Sequence, residues 1–187
     1  SGKSLSMVFY AHLLQEVLTS PTIVVLTDRN DLDDQLFGQF TKCAPFLRQG
    51  AQRAESRAHL KELLAGRRAH GIIFTTAQKF EESFEGLSDR RDIVVMVDEA
   101  HRSQFIEERV DGKTGRLMKS FGLIIRESLP NATYIGFTGT PISRKDRSTI
   151  EVFGNYIDIY DMTQAVEDGV TRPVYYESRV IHLKLDE

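Results

Sequence analysis

Apolar positions along the chain change spacing at regular intervals. Leu5, Phe9, Leu13 and Val17 recur every four residues, which predicts an amphipathic helix ended at Pro21. Thr22–Thr27 (TIVVLT) is a short β-branched run, the pattern of a buried strand. Helical spacing returns over Asp31–Thr41 and again over Glu55–Leu64, the latter stopped near Gly66. Gly71–Thr76 (GIIFTT) and Ile93–Val97 read as two further buried strands. Met118–Ser128 follows a helical pattern and Tyr134–Thr138 is strand-like.

Continuous apolar strands separated by helices predict an α/β fold, a mostly parallel sheet with helices on both faces. Ligands of such sheets sit at the carboxyl ends of the strands, near the topological switch point. Polar residues collect at those ends: Thr27-Asp28-Arg29, Thr75-Thr76, Asp98-Glu99 and Thr138-Gly139-Thr140. Asp111–Gly115 is a polar, glycine-punctuated stretch and predicts a turn. After about residue 150 the pattern becomes irregular, with a short helix near Thr163–Asp168 and a strand-like Val174–Leu185. The expected division is a domain over residues 1–150 and an exit segment over 151–187.

Composition narrows the class. A chain of 187 residues with 41% hydrophobic and 27% charged residues suits a folded globular domain, not a disordered one. No apolar run approaches the roughly 20 residues of a membrane helix, so no membrane partner is expected. A single cysteine, Cys43, excludes an internal disulfide and fits a reducing, cytoplasmic location; it reads as a small buried apolar residue. The net charge of −3 argues against a protein that coats DNA. Charge is uneven, however. Between Arg48 and Gly71 six basic residues (Arg48, Arg53, Arg57, Lys61, Arg67, Arg68) face two acidic ones (Glu55, Glu62), a local +4 that leaves −7 elsewhere. That sector is either a phosphate-facing surface or a solvated helix face.

Three motifs carry chemistry. Ser1-Gly2-Lys3-Ser4 is the closing half of a phosphate-binding loop, whose first glycine would lie four residues upstream; a cut through the loop is expected. Backbone N–H groups around Gly2 and the following helix N-terminus suit phosphate, the Lys3 ammonium suits the β- and γ-phosphates, and the Ser4 hydroxyl suits Mg²⁺. Five apolar residues then deliver Asp98-Glu99-Ala100-His101 to a strand end. Asp98 is the expected magnesium ligand, through water, and Glu99 the group that orients and deprotonates an attacking water. His101 and the loop Thr138-Gly139-Thr140-Pro141 are placed to relay nucleotide state to a bound nucleic acid.

S-G-K-S, D-E-A-H and F-T-G-T-P, in this order, resemble the first RecA-like domain of superfamily 2 helicases and translocases, a P-loop NTPase fold. Leu26–Gln35, Phe74–Phe80, Asp98–Gln104 and Phe153–Thr171 are similar to the motor subunit of type I restriction-modification enzymes, over nearly the whole chain. The resemblance implies an ATP site of Ser1, Gly2, Lys3 and Ser4, with Asp98, Glu99 and Lys3 catalytic and Ser4 and Asp98 on Mg²⁺. It implies DNA-backbone contact by Thr27, Asp28, Arg29, Thr76 and Gln78, and coupling by His101, Thr138, Gly139 and Thr140. It further implies ATP and Mg²⁺ as cofactors, double-stranded DNA as track, and methyltransferase and specificity subunits as partners. The family's nuclease lies before its motor, and a second RecA-like domain with an arginine finger follows it. An arginine finger is worth roughly 10³–10⁵ in rate, so residues 1–187 alone are expected to be nearly inactive. Alternatives are another superfamily 2 helicase, a type III restriction motor, or a non-hydrolysing DNA-binding scaffold.

Overall fold

The computed structural model describes residues 2–27, 30–66, 71–76, 86–100, 108–110, 117–119, 121–139 and 153–173. In chain order these give α1 (Lys3–Val17), β1 (Thr22–Thr27), α2 (Asn30–Lys42), α3 (Ala44–Leu47), β2 (Ala51–Arg53), α4 (Arg57–Ala65) and β3 (Gly71–Thr76). There follow β4 (Ile93–Asp98), β5 (Glu108–Val110), β6 (Leu117–Lys119), α5 (Phe121–Ser128), β7 (Thr133–Phe137) and α6 (Met162–Glu167). Contacts divide the chain into compact units of residues 1–155 and 156–187. In the second, Asp161 caps α6 by accepting from the Gln164 N–H at 2.9 Å. No helix among the described residues is long and apolar enough to cross a membrane.

A five-stranded parallel sheet in the order β2-β3-β1-β4-β7 organises the first unit. Strand residues alternate strictly between two cores. Ile23 and Val25 of β1, Ile72 and Phe74 of β3 and Met96 of β4 pack with α1, α2 and α3 through Met7, Val8, Ala11, Leu36, Phe40 and Leu47. On the other face, Val24, Leu26, Ile73, Val95 and Val97 pack with Leu60 and Leu64 of α4 and with Ile124, Ile125 and Leu129 at α5. Burial on both faces is why these strands read as unbroken apolar runs. The α/β fold expected of a RecA-like domain is therefore the observed one.

Three details depart from the pattern. Helix α1 forms, yet Leu5, Phe9, Leu13 and Val17 are exposed, and its core contacts come from Met7, Val8 and Ala11. Apolar residues line much of this helix, so spacing alone did not identify the buried face. Helix α5 begins at Phe121, and Met118 belongs instead to β6, paired antiparallel with β5. A three-residue strand is specified by its distant partner, which a local period does not contain. β2 was not expected at all: it is a short edge strand whose Gln52 and Arg53 interrupt any apolar signal. Cys43 is half-buried against the first core. The strand expected at Val174–Leu185 and the turn at Asp111–Gly115 lie outside the described residues.

At the amino ends of the strands Arg90 ties three elements together. Its guanidinium donates to Asp92 at 2.9 and 2.5 Å, to the Leu64 carbonyl at the end of α4 (2.8 Å) and to Thr22 Oγ1 at the start of β1 (2.7 Å). The hydrogen bond from Arg90 is the main cause holding the Asp92 carboxyl below its usual range, against partial desolvation. A lowered folded-state pKa contributes stability that is present above the unfolded value near 3.9 and fades as pH falls through the folded one. Asp92 is 36% exposed, so screening keeps the ion-pair part small. Arg90→Met should nonetheless weaken the domain by about 1–3 kcal/mol at pH 7, because the Leu64 and Thr22 bonds go too. Hydrogen exchange of β1 and β4 amides in the full-length polypeptide measures this. The wild-type advantage should shrink below pH 4; equal protection in both proteins at pH 7 would refute it.

Candidate nucleotide site

Starting from β1, the chain builds β2 and β3 on one side and then crosses to β4 on the other, so the topological switch lies between β1 and β4. At their carboxyl ends stand the residues that sequence marked. Asp98 closes β4 and is 7% exposed, Thr27 closes β1 and Thr76 closes β3. The N-terminus of α1 reaches the same edge and places Lys3 against the β4 end. Its ammonium lies 2.8 Å from Asp98 Oδ1 and also contacts Glu99 Oε1 directly. That Asp98 oxygen further accepts the Glu99 N–H at 2.9 Å.

Glu99 has φ +49°, a left-handed conformation that is uncommon for a side-chain-bearing residue. This left-handed residue directly follows β4, and its carboxylate contacts Lys3. Burial works against the Lys3 ammonium most strongly among single causes. Hydrogen bonds to Asp98 and Glu99 and the charges of both together outweigh it, and the pKa is raised. Lys3 therefore stays charged throughout the neutral range. Two carboxylates surround one ammonium, an excess of acceptors beside the positive end of a helix.

The residues present fit a phosphate–magnesium ligand. Gly2 precedes α1 with no side-chain cap, and no acidic residue occupies the first turn. Among the described residues, nothing lies within 4 Å of a Cβ built on Gly2. Orphan N–H groups at an uncapped helix N-terminus are acceptors' natural partners. Among the described residues no cluster of three or more His, Cys, Asp or Glu could hold a metal. A single buried carboxylate plus hydroxyl, phosphate and water is how Mg²⁺ is usually held. Lys3, Asp98 and Glu99 thus meet at one place, with Ser4 half-buried one residue further along α1.

Elsewhere the placement differs from a simple surface picture. Thr27 and Thr76 are buried, and Thr27 Oγ1 donates to the Thr75 carbonyl at 3.5 Å. Thr138 and Gly139 follow β7 at the same sheet edge. Ser1, Asp28, Arg29, Gln78, His101 and Thr140 lie outside the described residues. The basic sector is not one surface. Arg57 is buried and donates to Ser128 Oγ at 3.5 Å, while Arg53 pairs with Asp34 at 2.9 Å and stacks 4.3 Å over Phe37. Arg48 and Lys61 remain exposed. Two positions escaped sequence reasoning: the left-handed backbone of Glu99, which has no sequence signal, and Gly136. For Gly136 the signal was there, since a glycine inside a strand marks a close approach of neighbouring chain.

Comparison with known proteins places the sequence in a family. Over 185 residues the chain is 48% identical to the type I restriction enzyme HindI endonuclease subunit of Haemophilus influenzae, covering 95% of this chain and 17% of that protein. It is 42% identical over 192 residues to a Methanocaldococcus jannaschii protein provisionally named the type I restriction enzyme MjaIXP endonuclease subunit, covering 99% and 17%. A third relative, the SsaAORF53P endonuclease subunit of Staphylococcus saprophyticus, is 31% identical over 180 residues, covering 90% and 18%. The chain therefore spans about one sixth of these relatives. The profile of the SWI2/SNF2 ATPases matches residues 1–187 from end to end, and the chain belongs to that family.

Proposed function

We propose that residues 1–150 are the first RecA-like domain, and 151–187 the exit toward a second, in the ATP-driven double-stranded DNA translocase of a type I restriction endonuclease subunit. The observation that carries the reading is the Lys3–Asp98–Glu99 cluster at an uncapped helix N-terminus. Membership of the SWI2/SNF2 ATPases supports the nucleotide, and the names of the relatives support the restriction complex.

When bound, Mg·ATP supplies the phosphoanhydride and a metal charge that offsets the developing negative charge. Ser1, Gly2, Lys3 and Ser4 would bind the phosphates, with Lys3 moving from its carboxylate partners onto them. Asp98 and Ser4 would hold the Mg²⁺. Glu99, released from Lys3, orients the attacking water and takes its proton. His101, Thr138, Gly139 and Thr140 transmit the nucleotide state. The segments at Thr27, Asp28, Arg29, Thr76 and Gln78 follow the DNA backbone, which carries no sequence information and so suits a motor. Sequence recognition and methylation fall to specificity and methyltransferase subunits, and cleavage to a nuclease elsewhere in the polypeptide.

The test is ATP turnover by the full-length polypeptide, assembled with its partners on unmethylated duplex DNA. Turnover should require DNA, and Glu99→Gln should lower kcat by about 10²–10⁴ while nucleotide binding persists. Native assemblies without DNA-dependent turnover would favour a non-hydrolysing module instead. Separately, Lys3→Ala should weaken binding of a fluorescent ATP analogue by roughly 10- to 100-fold, the worth of charge-assisted hydrogen bonds. Unchanged affinity would remove Lys3 from the phosphate site.

A further inference from the structure

Gly136 sits within β7, paired in register with Val97, the residue before Asp98. A Cβ built on Gly136 would stand 2.7 Å from the Cβ of Ala100 and 3.3 Å from the ring of Phe153. Carbon atoms in contact settle at about 3.5–4.0 Å, so the first approach is an overlap of nearly 1 Å. Ala100 is buried, and a packed interior has little room to absorb such a shift. The chain leaves β4 at Asp98, passes through the left-handed Glu99, and seats the Ala100 methyl where β7 has no side chain. The turn that aims Glu99 at Lys3 depends on that vacancy in the neighbouring strand.

We propose that Gly136 is a positioning residue for the hydrolytic step: by leaving room for Ala100, it fixes the left-handed turn that holds the Glu99 carboxylate over the phosphate site. The inference rests on the reading of Glu99 as the group that activates water. It assigns a role to a strand residue that touches neither nucleotide nor metal. It also gives β7 a mechanical link to the β4 end, because the same strand runs two residues further into Thr138 and Gly139.

Gly136→Ala, Ala100→Gly, their combination and Glu99→Gln are compared in the full-length polypeptide assembled on DNA. The readouts are kcat and KM for ATP, affinity for a fluorescent non-hydrolysable ATP analogue, and thermal melting. Displacement of a catalytic group by about 1 Å costs up to about 10²-fold, so Gly136→Ala should lower kcat by about 10- to 100-fold. Analogue affinity should stay within about twofold, since Lys3 and α1 are not displaced. Combining it with Ala100→Gly removes the clashing methyl and should recover most of the lost kcat. A role in folding alone would lower melting and active fraction together, without a selective fall in kcat. If Gly136→Ala does not fold, recovery of both folding and turnover in the double variant supports the proposal, and an unfolded double variant overturns it. Wild-type kcat in Gly136→Ala, or a loss that Ala100→Gly fails to relieve, also overturns it. Wild-type turnover insensitive to Glu99→Gln would instead sink the underlying reading of the site.

Discussion

Lys3 belongs to the first turn of α1, and Asp98 and Glu99 to the end of β4, ninety-five residues later, yet one ammonium contacts both carboxylates. Withdrawing such charges from water costs several kcal/mol per ion, and packed apolar side chains in their place often stabilise a fold as well or better. A cluster of this kind is thus a poor device for stability. On the proposed reading it is a site held ready for stronger charges: phosphates for Lys3, a divalent cation for Asp98. The sheet and the helices described around it bring those three side chains to one edge.

The parallel sheet does this by geometry. All five strands point the same way, so their carboxyl ends share an edge, and the chain crosses over between β1 and β4, where ligands of such sheets commonly bind. Helices on both faces keep the strands rigid enough for a carboxylate to be aimed. Polar fastening is placed at the opposite edge, where Arg90 bridges α4, β1 and the approach to β4. Stability and chemistry are thus separated by the length of a strand. The site end keeps the left-handed backbone at Glu99, a feature that a merely stable protein would have little reason to retain.

Much of this was readable in the residues, for a physical reason. Strands buried on both faces must be continuously apolar, so TIVVLT, GIIFTT and IVVMV announced themselves, and polar residues at their ends marked the site edge. Lys3, Asp98 and Glu99 were named from residue type and spacing alone, and the fold brings them together. Other features were hidden because they depend on partners distant in sequence. The exposed face of α1 was misjudged, since Leu5, Phe9 and Leu13 are as apolar as the Met7, Val8 and Ala11 that pack. Strands β2 and β6 exist through pairing, not through composition. Arg57, counted in a basic sector, turned out to be an interior residue because a serine on α5 receives it. Backbone conformation at Glu99 has no sequence signature at all.

The most direct measurement of the central claim is a structure of the full-length polypeptide with Mg²⁺ and a non-hydrolysable ATP analogue. The account predicts the triphosphate against Gly2–Ser4 at the start of α1, Lys3 drawn from Asp98 and Glu99 onto the phosphates, and the metal on the Asp98 side. Nucleotide bound elsewhere, with Lys3 still locked between the two carboxylates, would contradict it.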